Sequence, residues 1–206
     1  LPISVSNLRF GVRQVPMRLP FRFGAVTLTA AAQIHLFADV ETRNGHRAQG
    51  VAADMLAPKW FDKDPSKTYA DNMNDLIDSA KAACSAVEAV HEPASAFDLW
   101  KLGYDAALAW GESRGLNELT SAYGSTLLER AIIDGLGRAE GLSYFDMLRD
   151  NHLGIDLGTL HTQLTGVSPA DLLPAKPRAT MQVRHTVGLL DPLREDSIED
   201  AARIND

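Results

Sequence analysis

Asp62, Asp64 and Asp71 lie close enough in the chain to suggest oxygen ligands for a hard divalent cation. They also straddle a predicted helix start, where carboxylates complement the helix dipole without any metal, and the second role is favoured. Serine, histidine and aspartate are all present but without a nucleophile elbow, so a hydrolase triad is not expected. Gly135-Leu136-Gly137-Arg138 follows no strand and sits inside a helical pattern, so it is not a dinucleotide fingerprint. Cys84 is the only cysteine, which excludes an internal disulfide and a thiolate metal cluster within one chain. It falls on an apolar helical stripe and reads as a buried small hydrophobe.

The wider composition narrows the class further. The 206 residues are 45% hydrophobic and carry 20 Lys+Arg against 27 Asp+Glu, a net charge of −7. That is globular rather than disordered, and it lacks the basic run that phosphate recognition needs, so no nucleic-acid partner is expected. No apolar run approaches the ~20 residues of a membrane span, so no membrane is expected. The N-terminus shows no signal-peptide pattern, and a cytoplasmic location is the expectation. It begins with Leu1 rather than Met, which reads as a trimmed or processed chain. A complete eight-stranded α/β barrel takes about 250 residues and does not fit.

These residues must be held by elements that hydropathy outlines. Residues 3–15 alternate as a strand, with one register slip at Ser6-Asn7 that a bulge would cause. Pro16 and Pro20 should then interrupt the ladder, leaving residues 20–24 as a loop with Phe21 and Phe23. Ile34, Leu36, Ala38 and Val40 form one face of a second strand, opposite Gln33, His35, Asp39 and Glu41. Asn44-Gly45 predicts a two-residue hairpin turn and residues 46–52 a return strand. Asp64 and Pro65 predict the start of a helix whose stripe is Met73, Leu76, Ile77, Ala80, Cys84 and Val87. Ser95 with Asp98 predicts a second helix to about Arg114, with Phe97, Trp100, Tyr104 and Leu108 as its apolar side. A third helix should end at Gly141 and a short fourth should start at Ser143. Residues 154–176 read as irregular, with one turn at residues 168–171. A strand is predicted over residues 180–187 and a last helix from about Ser197. The fold class is therefore α+β: a three-stranded antiparallel meander, then a helical bundle, then one strand and the start of a helix.

The order of four motifs resembles the N-terminal capping region of the enolase superfamily, nearest its mandelate racemase and muconate-lactonising branch. The first motif is Val15-Pro16-Met17-Arg18-Leu19-Pro20-Phe21-Arg22-Phe23-Gly24. The second is the hairpin Asp39-Val40-Glu41-Thr42-Arg43-Asn44-Gly45-His46-Arg47-Ala48-Gln49-Gly50. The third is Glu129-Arg130-Ala131-Ile132-Ile133-Asp134-Gly135-Leu136-Gly137-Arg138-Ala139-Glu140-Gly141-Leu142, similar to the family's Ala-x-x-Asp-x-x-Gly-(Lys/Arg) helix. The fourth, Val183-Arg184-His185-Thr186-Val187-Gly188, stands where the first barrel strand would begin. The family's return strand commonly reads Gly-x-Gly-Glu; here it is Gly50-Val51-Ala52-Ala53-Asp54.

The resemblance implies a capping domain over residues 1–153, a linker over 154–178, and the first strand and partial helix of an incomplete, truncated barrel over 179–206. It implies that the parent enzyme abstracts the proton α to a carboxylate, as a racemase, dehydratase or cycloisomerase, and stabilises the enediolate on Mg²⁺. The family's metal ligands and bases lie on later barrel strands, so no catalytic residue and no metal ligand is assigned here, and this chain alone is expected to be inactive and to bind no Mg²⁺. What remains is the lid: Phe21, Arg22 and Phe23 in one loop, Met55 and Trp60 in a second over residues 52–60, and His185 and Thr186 near the end of the first barrel strand. The implied partners are a carboxylate substrate of the parent and either the rest of the barrel or further copies of this chain. Alternatives left open are a non-catalytic binding or assembly module, whose exposed strand face a partner must cover, and an unrelated α+β domain.

Overall fold

A computed structural model describes residues 1–23, 26–184, 187 and 191–198. The alternating segments form an antiparallel sheet in the order β1 (Ile3–Phe23), β2 (Val26–Thr42), β3 (Arg47–Leu56). Ile34, Leu36, Ala38 and Val40 face the helices and are buried, while Gln33, His35, Asp39 and Glu41 share the outer face, as a two-residue period requires. The β1–β2 register shifts between Ser6 and Arg9, with Asn7 at φ 53°, where the bulge is expected.

Two turns differ from expectation. Phe21–Phe23 is not loop: after a second register shift between Pro16 and Phe21, these residues pair again with β2. The prolines release the ladder because they lack an N–H, but the chain re-enters it beyond them. The β2–β3 connection is a three-residue loop rather than a two-residue turn. Thr42 N–H bonds the His46 carbonyl at 2.9 Å, and only Gly45 takes a positive φ, 82°. One left-handed residue after a turn suffices for that longer loop.

Next come α1 (Pro58–Phe61), α2 (Tyr69–Glu88), α3 (Ala96–Glu112), α4 (Glu118–Glu140) and α5 (Tyr144–Arg149). Thr68, not Asp64, caps α2 through a reciprocal capping box with Asp71, since Pro65 is spent in the preceding turn. Ser95, Asn117 and Ser143 cap the other three long or short helices, and Gly141 ends α4 at φ 66°. The buried seam of α3 is Leu99, Gly103, Ala107 and Gly111. Of the expected stripe, Phe97 is buried, while Trp100 and Tyr104 run along the flank, the three rings following one another at 5.4 and 5.5 Å. Small residues won the seam because α4 comes too close for rings: a Cβ on Gly111 would lie 1.8 Å from Ser121 Oγ.

Residues 154–176 hold two single-turn helices, α6 (Leu157–Leu160) and α7 (Pro169–Leu172), among irregular chain. Of the strand predicted over residues 180–187, the described residues 180–184 and 187 are in no ladder, and Met181 and Val183 are bare to solvent. A strand needs a neighbour to take its N–H and C=O groups, and none runs beside it among the described residues. A 3₁₀ turn, Glu195–Ser197, comes just before the predicted last helix, most of which lies outside the described residues. No helix among the described residues is long and apolar enough to cross a membrane.

Candidate functional site

β3 stops opposite Ala32, but β1 and β2 continue past it as a two-stranded ribbon, pairing Phe21 with Leu28. The ribbon leaves the sheet at the end where β3 passes into α1. Phe21 and Arg22 are exposed on this ribbon. The Phe23 backbone pairs with Val26 at its tip. Met55 lies on the outer face of β3 opposite Gln33, about 17 Å along β2 from the Phe21 level at about 3.3 Å per residue. Trp60, on α1, is 65% exposed. The two lid segments thus share one end of the sheet, with Phe21 and Met55 well apart along it. His185 and Thr186 lie outside the described residues.

The short α1 owes its position to its neighbours. Phe61 packs edge-on against Tyr123 at 5.1 Å, and its carbonyl accepts from Asn117 Nδ2 at 3.2 Å. Lys59 Nζ donates to the Asp64 and Lys67 carbonyls. These ties fix the turn on the bundle and leave Trp60 outward.

The aspartates after α1 are turn and cap groups. Lys67 Nζ bonds Asp62 and Asp75, each at 2.9 Å. Burial works against the ammonium, yet the Asp75 and Asp62 hydrogen bonds outweigh it and its pKa is raised. The Asp64 amide, then Lys67, hold the Asp62 carboxyl below its ordinary range. Asp64 binds Ser66 and Asp71 closes the α2 cap. Among the described residues no three His, Cys, Asp or Glu side chains are grouped to hold a metal. Gly111-Glu112-Ser113-Arg114-Gly115 has the spacing of a nucleophile elbow, but it closes a helix, and Ser113 Oγ donates to the Trp110 carbonyl at 2.7 Å. Burial pushes the Cys84 thiol up to about 12, which removes the thiolate that nucleophilic chemistry needs.

The third sequence motif has a structural task. β3 is an edge strand, and its outward Val51 N–H donates to Asp134 Oδ2 at 2.9 Å. Arg130 donates to the outward Ala53 carbonyl and pairs with Asp54, while Arg138 holds Asp134 at 2.8 Å. α4 therefore satisfies an edge that would otherwise pair with another chain. Gly50 and Gly135 permit the approach, because a Cβ on Gly50 would lie 1.9 Å from the Ala131 carbonyl. In the sequence the only signal of these roles is the one-turn spacing of Arg130, Asp134 and Arg138.

No family model matches the chain, and no curated protein does. Among solved structures it is similar to a mandelate racemase/muconate lactonizing protein from Herpetosiphon aurantiacus, at 18% identity over 67% of this chain and 32% of that one, with a TM-score of 0.39. It is similar to an enolase from Bradyrhizobium complexed with magnesium and mandelic acid, at 17% identity over 68% and 33%, with a TM-score of 0.42. A third is L-talarate dehydratase from Polaromonas sp. complexed with Mg and L-glucarate, at 21% identity over 71% and 35%, with a TM-score of 0.41. The chain spans about a third of the length of these structures.

Proposed function

We propose that this chain is the substrate-selecting cap, with the start of the barrel, of a Mg²⁺-dependent enzyme that abstracts the proton α to a carboxylate. The observation that carries the reading is the shared sheet end: the β1–β2 ribbon bearing Phe21 and Arg22, and the β3–α1 corner bearing Met55 and Trp60, project together. Such a pair of projections can close over a barrel mouth, where barrel active sites sit. Phe21, Phe23, Met55 and Trp60 supply an apolar cover that excludes water, and Arg22 supplies a cation for an anionic group. His185 and Thr186 complete the proposed set, as residues near the end of the parent's first barrel strand. In this proposal residues 1–153 are the cap, 154–178 the linker and 179–206 the barrel start. The parent is a cytoplasmic racemase, dehydratase or cycloisomerase whose metal ligands and bases lie on other strands, and neither nucleic acid nor membrane is a partner.

The test is α-proton exchange in D₂O, followed by NMR over a panel of 2-hydroxy and sugar acids with Mg²⁺. The 206-residue chain should show none. In the parent, Phe21→Ala or Trp60→Ala should change the kcat/KM ratio between two acids by about tenfold. Exchange by this chain alone, or a parent lacking acidic residues on successive later strands, would overturn the proposal. Bare Met181 and Val183 favour a second reading, an assembly module needing a partner on that segment; a monomer by light scattering would count against it.

A further inference from the structure

An open groove of about 830 Å³ runs along α4 and α5, walled by Glu129, Ile133, Leu142, Tyr144 and Met147. None of Phe21, Arg22, Met55 or Trp60 lines it. Glu129, Ile133 and Tyr144 also line a recess of about 50 Å³, closed by Phe97, Leu148 and Ile155. The groove therefore leads into an apolar end with one acid at the junction. Its volume lies in the range of small-molecule sites.

The charges there are unequal. Arg130 is turned to Asp54 and the Ala53 carbonyl, and Arg138 is held by Asp134. Glu129 makes no hydrogen bond and no ion pair among the described residues, and only the Arg130 charge offsets its burial. Burial raises its pKa, which is the mark of a carboxylate missing a cation. The Tyr144 ring, 58% exposed at the same junction, offers a π face to a positive group.

We propose that the α4–α5 groove is a binding site for a small organic cation, a primary amine on an apolar body, with the ammonium on Glu129 and Tyr144 and the apolar part in the recess. An amine supplies the charge that Glu129 lacks, whereas a carboxylate ligand would meet Glu129 and find both arginines already engaged.

The test uses the 206-residue chain, with phenethylamine, phenethyl alcohol and phenylacetate as matched probes, followed by the Met147 methyl signal in NMR at neutral pH. The amine should shift that signal saturably and bind about tenfold tighter than the alcohol, with phenylacetate weaker still. Glu129→Gln should abolish the preference. Tyr144→Ala, at an exposed position, should weaken the amine about threefold and serves if Glu129→Gln fails to fold. Equal binding of amine and alcohol, a preference that survives Glu129→Gln, amine affinity unchanged in Tyr144→Ala, or no saturable shift at Met147 would each overturn the site.

Discussion

Glu129 shows how one residue couples a groove to stability. Its carboxyl holds a proton to higher pH in the fold than in the unfolded chain, because burial disfavours the anion. A raised carboxyl pKa means that the group favours the fold below its unfolded value and disfavours it as pH rises through the folded value. Glu129→Gln cannot ionise, so it should resist urea better than the parent at pH about 8. The two curves should converge below pH about 4, where the glutamate is protonated in both states. A parent more urea-resistant than the variant at the higher pH would show that Glu129 has a partner. Gly50 and Gly45 make a second contrast at this scale. At Gly50 a Cβ meets backbone 1.9 Å away, whereas at Gly45, φ 82°, it meets nothing. Chemical denaturation should find Gly50→Ala costing about 3 kcal/mol through overpacking, and Gly45→Ala about 1 kcal/mol through its left-handed backbone alone.

At the scale of elements, boundaries follow local hydrogen bonds more than composition. Both Asp64 and Thr68 are plausible caps by residue type, but only Thr68 accepts from the third helical amide while Asp71 reaches back to the cap. Thr68→Ala should cost about 1 kcal/mol, and Asp64→Ala less than about 0.5 kcal/mol, with thermal unfolding as the readout. The edge of β3 follows the same logic in tertiary form. Asp134 and Arg130 do for Val51 and Ala53 what a fourth strand would do. The third sequence motif therefore serves the join between sheet and bundle.

For the whole molecule, core and tail separate. The buried cluster draws on the sheet, α2, α3, α4 and the α5 corner, while Met181 and Val183 stand 86% and 94% exposed. Replacing both by serine should leave the stability of this chain within about 0.5 kcal/mol. In the proposed parent the same pair should destabilise, since a barrel strand would bury one of its faces. An equal, negligible effect in both proteins would argue against residues 180–187 forming a barrel strand.

The sequence alone determined what repeats locally. The two-residue period set the buried face of β2, the Ser6-Asn7 slip marked the bulge, and Ser95, Gly141 and Ser143 marked helix ends, because each acts through groups a few residues away. Tertiary structure decided what depends on remote atoms. Phe21–Phe23 rejoins the ladder only because β2 is there to receive it. Small residues, not Trp100 and Tyr104, line the α3 seam because α4 approaches closely. Asp134 becomes an edge cap, and Glu129 an acid of a groove without a partner among the described residues, only once α4 lies beside β3 and α5. Residues 180–184 have an alternating pattern but, among the described residues, no strand beside them, and a strand forms only where a second one accepts its hydrogen bonds.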